Sequence, residues 1–177
     1  MRNSEILDKL NKTIDYIVGI ERFTYPEKVG GRKPDSDYCV TNVISNGNIF
    51  LEQTSYRNQL PSEGEDVIVE IEGLRNVIVS INFYHADSSY YANKVHLNMR
   101  RPDVISRLTH DGLGYIERSA VRPIPDVVDG EWELRNQFDL TLSIKEQDEA
   151  VIPVINSATI KGKLEETPVE INIQEAN

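Results

Sequence analysis

The sequence is poor in cysteine and in long apolar runs. Cys39 is the only cysteine among 177 residues, so no disulfide can form within the chain and a disulfide-stapled fold is excluded. Cys39 lies in an apolar segment, where we expect a buried and unreactive thiol. No apolar run approaches the roughly 18 residues of a membrane span. Residues 1–10 lack the apolar region of a signal peptide, so we expect neither secretion nor a membrane partner.

The chain is also short of basic residues. Lys and Arg number 19 against 29 Asp and Glu, which gives a formal net charge of −10. That balance excludes a general clamp for duplex DNA, which needs basic side chains to neutralise phosphates. Acidic residues concentrate in 61–72, 123–139 and 164–177, whereas 87–122 is mildly basic. Either these stretches are solvated faces, or the molecule has acidic and basic sides that meet head to tail in a ring.

The residue patterns of common catalytic and metal sites are missing as well. The three histidines, His85, His96 and His110, have no spacing typical of metal ligands. The chain has no nucleophile elbow, no phosphate-binding loop and no dinucleotide fingerprint. Glu131 and Glu133 lie two residues apart on the polar face of a predicted strand, which is typical of a solvated surface. We therefore predict no enzymatic activity, no catalytic residue, no cofactor and no bound metal.

What the sequence does contain is a strong strand signal. Ile and Val together number 35, against 20 for Leu, Ala and Met, which favours a sheet-dominated fold. From Glu131 to Lys145 every odd position is polar, and the even positions are apolar except Asn136. This alternation predicts a long strand with one wet and one dry face, as in antiparallel sheets. Trp132 heads the apolar face, where packing in the core or at an interface explains it.

The remaining elements follow from apolar spacing and from Gly and Pro. We predict helices over 4–18, 87–100 and, after Pro102, a short one through Leu108. Strands are predicted over 38–45, 113–121 and 151–164, and a hairpin is predicted from 66–72 and 77–84, linked by 73–76. Residues 46–65 read as a long connection and 146–149 as a turn. The prediction is an α+β fold: a mostly antiparallel sheet with two main helices packed on one face, in a single domain of residues 1–164 with an acidic tail of residues 165–177.

Several segments resemble the neck (tail) terminator family of tailed phages. The most specific is Gly130–Leu140, with its aromatic-Glu-x-Arg-x-x-Phe-Asp-Leu pattern. Arg101-Pro102 and residues 112–116 are similar to that family's helix end and following strand, and residues 38–43 are similar to its first strand. The resemblance covers most of residues 6–164.

The resemblance implies a structural virion protein rather than an enzyme. Members of this family form a ring, usually sixfold, that closes the top of the tail tube and joins it to the head-completion proteins. Genomic DNA passes through the ring without specific binding. The expected location is the neck or tail of the virion, after synthesis in the cytoplasm of the bacterial host. No catalytic residue is carried over from the family.

Two sets of residues are candidates for roles in such a ring. The predicted interface residues are Arg100, Arg101, Arg107, Trp132, Glu133 and Arg135. The acidic residues predicted to include some that face the lumen, where they would repel phosphates, are Glu63, Glu65, Asp66, Asp126, Asp129 and Glu131. Two alternatives stay open. One is another head-tail assembly protein, such as a stopper or tail-tube subunit; the other is a small enzyme, which turnover lost on His110→Ala would favour, or a small ligand-binding domain, which a ligand-dependent melting shift would favour.

Overall fold

The computed structural model describes residues 1–26, 34–56, 67–128, 131–152, 157–164 and 167–174. In these residues the helices are α1 (Asn3–Val18), α2 (Ser88–Asn98) and α3 (Pro102–His110). The strands are β1 (Thr24–Pro26), β2 (Tyr38–Tyr56), β3 (Val67–Tyr84), β4 (Leu113–Arg118), β5 (Arg122–Pro123), β6 (Asp126–Val128), β7 (Glu131–Glu133), β8 (Arg135–Ile152), β9 (Ser157–Leu164) and β10 (Thr167–Gln174). None of the described helices has both the length and the hydropathy that a bilayer crossing requires.

Most strands belong to one mixed sheet. Its order is β1-β2-β3-β8-β4, and β5 also pairs with β8. Strands β4 and β5 run antiparallel to β8, whereas β1 runs parallel to β2. Two further pairs are antiparallel and separate from this sheet: β6 with β7, and β9 with β10. The predicted class, α+β with a dominant and mostly antiparallel sheet, is confirmed.

Helix α1 forms where its apolar residues recur at helical spacing. Ile6, Leu10 and Ile14 are fully buried on one face. At the N-terminus, the Arg2 backbone N–H donates to the Glu5 carboxylate at 3.1 Å. Gly19 ends the helix with a φ of 80°, and its N–H donates to the Asp15 carbonyl oxygen at 2.8 Å. This left-handed conformation is one that glycine adopts without steric cost, so the predicted end of the helix is confirmed.

A proline separates the two later helices. Pro102 occupies the first position of α3, where a missing N–H costs nothing and the fixed φ suits the helix. Arg101 before it is extended, with a φ of −65° and a ψ of 135°, as expected of a residue that precedes proline. Met99 and Val104 on either side of this break are both fully buried. The predicted interruption at Pro102 is therefore confirmed.

The hydrophobic core joins the helices to alternate residues of two neighbouring strands. Cys39 of β2 belongs to the same cluster and is fully buried, and burial raises the pKa of its thiol well above the ordinary value. The fully buried strand residues in phase are Val77, Val79, Ile81 and Phe83 of β3 and Phe138, Leu140, Leu142 and Ile144 of β8. The alternation seen in the sequence of β8 therefore marks its core side.

Two predicted breaks in the sheet are wrong. Residues 73–76 do not link a hairpin, because β3 runs without interruption from Val67 to Tyr84. The predicted connection over residues 46–65 is also wrong at its start, since β2 continues through Gly47 to Tyr56; residues 57–66 lie outside the described residues. A Cβ at Gly47 would lie 2.9 Å from the Asn76 carbonyl oxygen. Glycine at this position accommodates a close approach of two backbones rather than a turn.

The C-terminal half also differs from the predicted strand boundaries. The predicted strand 131–145 divides at Leu134 into β7 and β8, and β8 continues to Ile152 through the residues predicted as a turn, 146–149. Strand β4 ends at Arg118, after a bulge between Tyr115 and Glu117, instead of reaching residue 121. Of the predicted strand 151–164, residues 151–152 belong to the end of β8 and residues 157–164 form β9, whereas residues 153–156 lie outside the described residues.

The chain divides into two compact units. The first comprises residues 1–51 and 73–146 and contains the three helices and the core described above. The second comprises residues 52–72 and 147–177 and contains the β9–β10 hairpin, whose register runs from Thr167↔Leu164 to Gln174↔Ser157. Strand β10 thus forms within residues 165–177, the segment that the sequence suggested was a tail. The single-domain interpretation of residues 1–164 stays a prediction.

Candidate interaction surfaces

Aromatic rings and guanidinium groups are interleaved on one exposed part of the first unit. Tyr16 of α1 is 49% exposed, and the guanidinium carbons of Arg101 and Arg107 lie 5.7 and 5.2 Å from its ring centroid. These distances place both charges within the range of cation–π attraction. Helix α1 supplies the ring, whereas α3 and the residue before it supply the charges. The two helices contact each other, so the contact depends on their packing.

Asp103 organises this group of side chains. Its two carboxylate oxygens accept hydrogen bonds from Nε and Nη2 of Arg101 at 2.6 and 2.8 Å, and from the Tyr16 hydroxyl at 2.9 Å. The hydrogen bonds from Arg101 lower the pKa of Asp103 to about 2 despite some desolvation, and the bond from Tyr16 adds to this. Asp103 therefore stays ionised at neutral pH and holds Arg101 in a fixed direction.

A second guanidinium pair surrounds Tyr115 of β4. Arg100 lies 5.8 Å from the ring centroid, and its Nε donates to the Tyr115 hydroxyl at 3.3 Å. Arg118 donates to the same hydroxyl from Nη1 at 3.1 Å. We define the arginine–tyrosine surface by these two clusters. Its members are Tyr16, Arg100, Arg101, Arg107, Tyr115 and Arg118. Four guanidinium groups against the single carboxylate of Asp103 give it a positive charge suited to binding carboxylates.

His96 lies beside this surface and supports packing. Its ring meets the Phe138 ring edge-on, with centroids 5.3 Å apart, and Nε of Arg118 donates to its Nε2 at 3.1 Å. Burial lowers the pKa of His96, and the charge of Arg118 lowers it further, so the ring is neutral at neutral pH. Among the described residues, no group of three or more His, Cys, Asp or Glu side chains is arranged to hold a metal ion.

A short hairpin with exposed apolar side chains forms the second surface. Val127 of β6 pairs in register with Trp132 of β7, and these side chains are 52% and 74% exposed. Leu134, which follows β7, is 55% exposed. We call β6, β7 and Leu134 the Trp132 hairpin. Of the two sequence-based explanations for Trp132, core packing is wrong, because the chain breaks at Leu134 before the buried part of β8 begins. Exposed aromatic and apolar side chains are typical of interfaces.

The two charged residues that flank Leu134 are tied to the sheet. Arg135 donates from Nε and Nη2 to the Asn82 side-chain oxygen at 3.1 and 2.7 Å, and its guanidinium lies 5.4 Å from the Tyr84 ring centroid. Tyr84 stacks on Tyr38 with centroids 4.8 Å apart. Burial raises the pKa of Tyr38, and the negative charge of Glu133 raises it further. Glu133 and Arg135 thus form part of a packed aromatic cluster.

The structure divides the predicted interface residues into two groups. It brings Arg100, Arg101 and Arg107 together on the arginine–tyrosine surface, whereas Trp132, Glu133 and Arg135 lie on or beside the Trp132 hairpin. Their role in an interface stays a prediction. Sequence reasoning missed Tyr16, Tyr115 and Arg118 as members of a site. The signal available for Tyr16 is an aromatic residue of the predicted helix that lies outside the helix's apolar set.

The residues predicted to face a lumen have no described side chains. Glu63, Glu65, Asp66 and Asp129 lie outside the described residues. The backbones of Asp126 and Glu131 belong to β6 and β7, where they pair with Glu133 and Val128, but their side chains are outside the described part. The lumen assignment therefore stays a prediction.

Comparison with known proteins gives one family. A family model described as "Phage neck terminator protein" matches residues 8–167, which include α2, α3, all of α1 except its first five residues, and the main sheet. No curated protein matches the chain.

Proposed function

Since the chain belongs to the phage neck terminator family and is thus a structural protein of the phage neck, we propose that it forms the ring that ends the tail. In this proposal several copies, six in the expected case, close the top of the tail tube. The ring joins the tube to the head-completion proteins and leaves a central passage for genomic DNA. No catalytic step belongs to this function.

The observation that carries the proposal is the family match over residues 8–167. The surface chemistry of the first unit supports it, since a head-to-tail ring needs two different surfaces on each subunit. The arginine–tyrosine surface and the Trp132 hairpin are such a pair of exposed features. The net charge of −10 supports a passage through which DNA slides, because acidic walls repel phosphates.

Electron microscopy of the purified protein tests ring formation. We expect negatively stained class averages with rotational symmetry and a central hole of roughly 20 Å or more, wide enough for duplex DNA given its groove dimensions. Long tubes would contradict the proposal and indicate a tail-tube protein instead. If the protein alone stays monomeric, tube ends from the same phage serve as a template, and failure to cap them would contradict it too.

The acidic lumen is tested by reversing charge at three of the residues proposed to line it, chosen outside the two interaction surfaces. Glu63→Lys, Glu65→Lys and Asp66→Lys, combined in one variant, should make the rings retain duplex DNA at low salt, whereas the unmodified rings should not. The retention should weaken steeply as salt rises, because counterion release drives such binding. The readout is electrophoretic mobility of labelled duplex DNA. Equal mobility with both proteins would overturn the lumen assignment and leave ring formation standing.

A further inference from the structure

The Trp132 hairpin and the arginine–tyrosine surface fit each other as two sides of one contact. We propose that the Trp132 hairpin of one copy docks on the arginine–tyrosine surface of the next copy, and that this head-to-tail contact repeats around the ring. This inference rests on the proposed function and adds to it which surfaces meet.

Charge complementarity selects a second copy as the occupant. Residues 126–133 contain four acidic residues, Asp126, Asp129, Glu131 and Glu133, and no Lys or Arg. The arginine–tyrosine surface presents four guanidinium groups against the Asp103 carboxylate. Opposite charges of this size steer two copies together and disfavour pairing between like surfaces. An acidic hairpin thus excludes an identical hairpin as its partner and favours the basic surface.

The apolar side chains of the hairpin need a surface that accepts an indole ring. Trp132 is the most exposed aromatic side chain among the described residues, at 74%. Guanidinium groups stack well on indole rings, and Tyr16 and Tyr115 offer aromatic faces beside them. Arg, Tyr and Trp are also the residues most enriched at the energetic centres of interfaces. The two surfaces therefore match in apolar chemistry as well as in charge.

One copy cannot satisfy both surfaces by itself. Tyr115 pairs in register with Leu142 of β8, whereas Leu134 directly precedes the first residue of β8, Arg135. Leu142 is seven residues beyond Arg135 along β8, and at about 3.4 Å per residue their backbones lie roughly 24 Å apart. That separation exceeds the length of any side chain. Because the surfaces differ and lie apart, the contact is heterologous, and repeating it closes a ring or continues as a helix.

Charge reversal on each side tests the contact. The hairpin variant carries Asp126→Lys, Asp129→Lys and Glu131→Lys, which makes the acidic hairpin net positive, and the surface variant carries Arg100→Glu with Arg107→Glu, which makes the basic surface net negative. Each variant alone would place like charges at every contact, so we expect loss of the rings formed by the unmodified protein. An equimolar mixture restores opposite charges at every contact of an alternating ring, so we expect rings to return. Sedimentation velocity gives the oligomer fraction, and electron microscopy gives the symmetry.

Two further variants separate the contact from folding. Lys145→Glu reverses an exposed charge outside both surfaces and should leave the rings intact. Trp132→Ser removes the indole without changing charge and should weaken association about tenfold or more, the loss typical of a central interface residue. Far-UV circular dichroism and Tm establish that each variant is folded before its oligomers are compared.

The outcomes distinguish the contact from the function. If the unmodified protein forms rings and either charge variant alone forms them equally well, the pairing is wrong and the proposed function stands. Variants that fail alone and also fail in the mixture would overturn the pairing as well. An unmodified protein that stays monomeric up to its solubility limit, and does not cap tube ends, would overturn both.

Discussion

Both faces of the sheet are buried at β3, but one face carries apolar side chains and the other carries polar ones. Val79 and Ile81 point into the apolar cluster, whereas Ser80 and Asn82, which alternate with them, are 4% and 5% exposed and polar. The polar face is satisfied by hydrogen bonds: Gln137 donates to the Ser80 hydroxyl at 2.8 Å, and Arg135 donates to Asn82. Burial alone therefore does not identify the hydrophobic core: apolar packing stabilises one face of β3, whereas hydrogen bonds between buried polar side chains stabilise the other.

Polar pairs mark where the apolar face ends along the strands. At one end Asn136, in phase with Phe138, donates to the Ser88 hydroxyl at 3.0 Å. At the other end Glu146, in phase with Ile144, accepts from Nε of Arg75 at 3.1 Å. Asn136, the polar residue that interrupts the even positions of the sequence pattern, is therefore the first even-numbered residue of β8. Its amide lies at the end of the apolar face, where it is hydrogen-bonded.

The largest effect is expected on the apolar face. Phe138→Ala should lower the free energy of unfolding by about 3–5 kcal/mol, because it removes buried area and leaves a cavity between β8 and the ring of Phe83, 6.1 Å away. Urea denaturation followed by circular dichroism measures the loss. Phe138→Leu, which keeps most of the volume, should recover much of it. A loss below 1 kcal/mol for the alanine variant would contradict the prediction that packing on the apolar face contributes most to the free energy of unfolding.

An intermediate effect is expected on the polar face. Asn82→Ala should cost about 1–3 kcal/mol, because it leaves the buried Ser80 hydroxyl and the Arg135 guanidinium with fewer partners. The same denaturation experiment on Asn93→Ala provides the control, since Asn93 makes only exposed hydrogen bonds within α2. Equal losses for the two variants would mean that the polar face contributes nothing specific.

The smallest effect is expected at the boundary of the apolar face and depends on pH. The hydrogen bond from Arg75 lowers the pKa of Glu146 below its ordinary value of 4.5. A carboxyl with a lowered native pKa stabilises the fold above its unfolded pKa, and this contribution is lost as pH falls through the native pKa. Glu146→Gln should therefore lower stability at pH 7 by up to about 1 kcal/mol, because both partners are partly exposed.

Urea denaturation at pH 7 and at pH 3 checks this sign. The difference between the unmodified protein and Glu146→Gln should shrink at the lower pH. In an Arg75→Met background the same substitution should have a smaller effect at both pH values, since the N-terminal ammonium of Met1, 3.4 Å from the other carboxylate oxygen, is then the remaining partner. A difference that grows on acidification would contradict the assigned cause.

The sequence predicted correctly those elements whose buried face is shown by the spacing of their apolar side chains. The alternation in β8 and the helical spacing in α1 both reflect which face is buried, so they mark the core correctly. Gly47 and Gly73 led to wrong predictions of a loop and a turn, because glycine is common in turns. Within a sheet, a glycine can continue a strand when the neighbouring strand supplies its backbone hydrogen bonds. Gly47 stands in β2 because Asn76 approaches it closely, a fact about the partner strand that local sequence does not contain.

The candidate surfaces were only partly predictable for a related reason. The basic character of residues 87–122 indicated Arg100, Arg101 and Arg107, since charge is read directly from the sequence. The ring that Arg101 and Arg107 share, Tyr16, lies 85 residues before Arg101 and meets it only through helix packing. Trp132 was linked to an interface or the core because alternation continues across Leu134, where the backbone leaves the main sheet.

The burial of Cys39 makes the protein well suited to site-specific labelling. The only native thiol is fully buried and its pKa is raised, so it stays protonated and inaccessible to maleimide reagents in the folded protein. A cysteine introduced on an exposed residue, such as Leu97 at the end of α2, becomes the single reactive position in each copy. Donor and acceptor dyes placed there on separate pools would report subunit arrival and exchange by energy transfer, with no native cysteine to remove first.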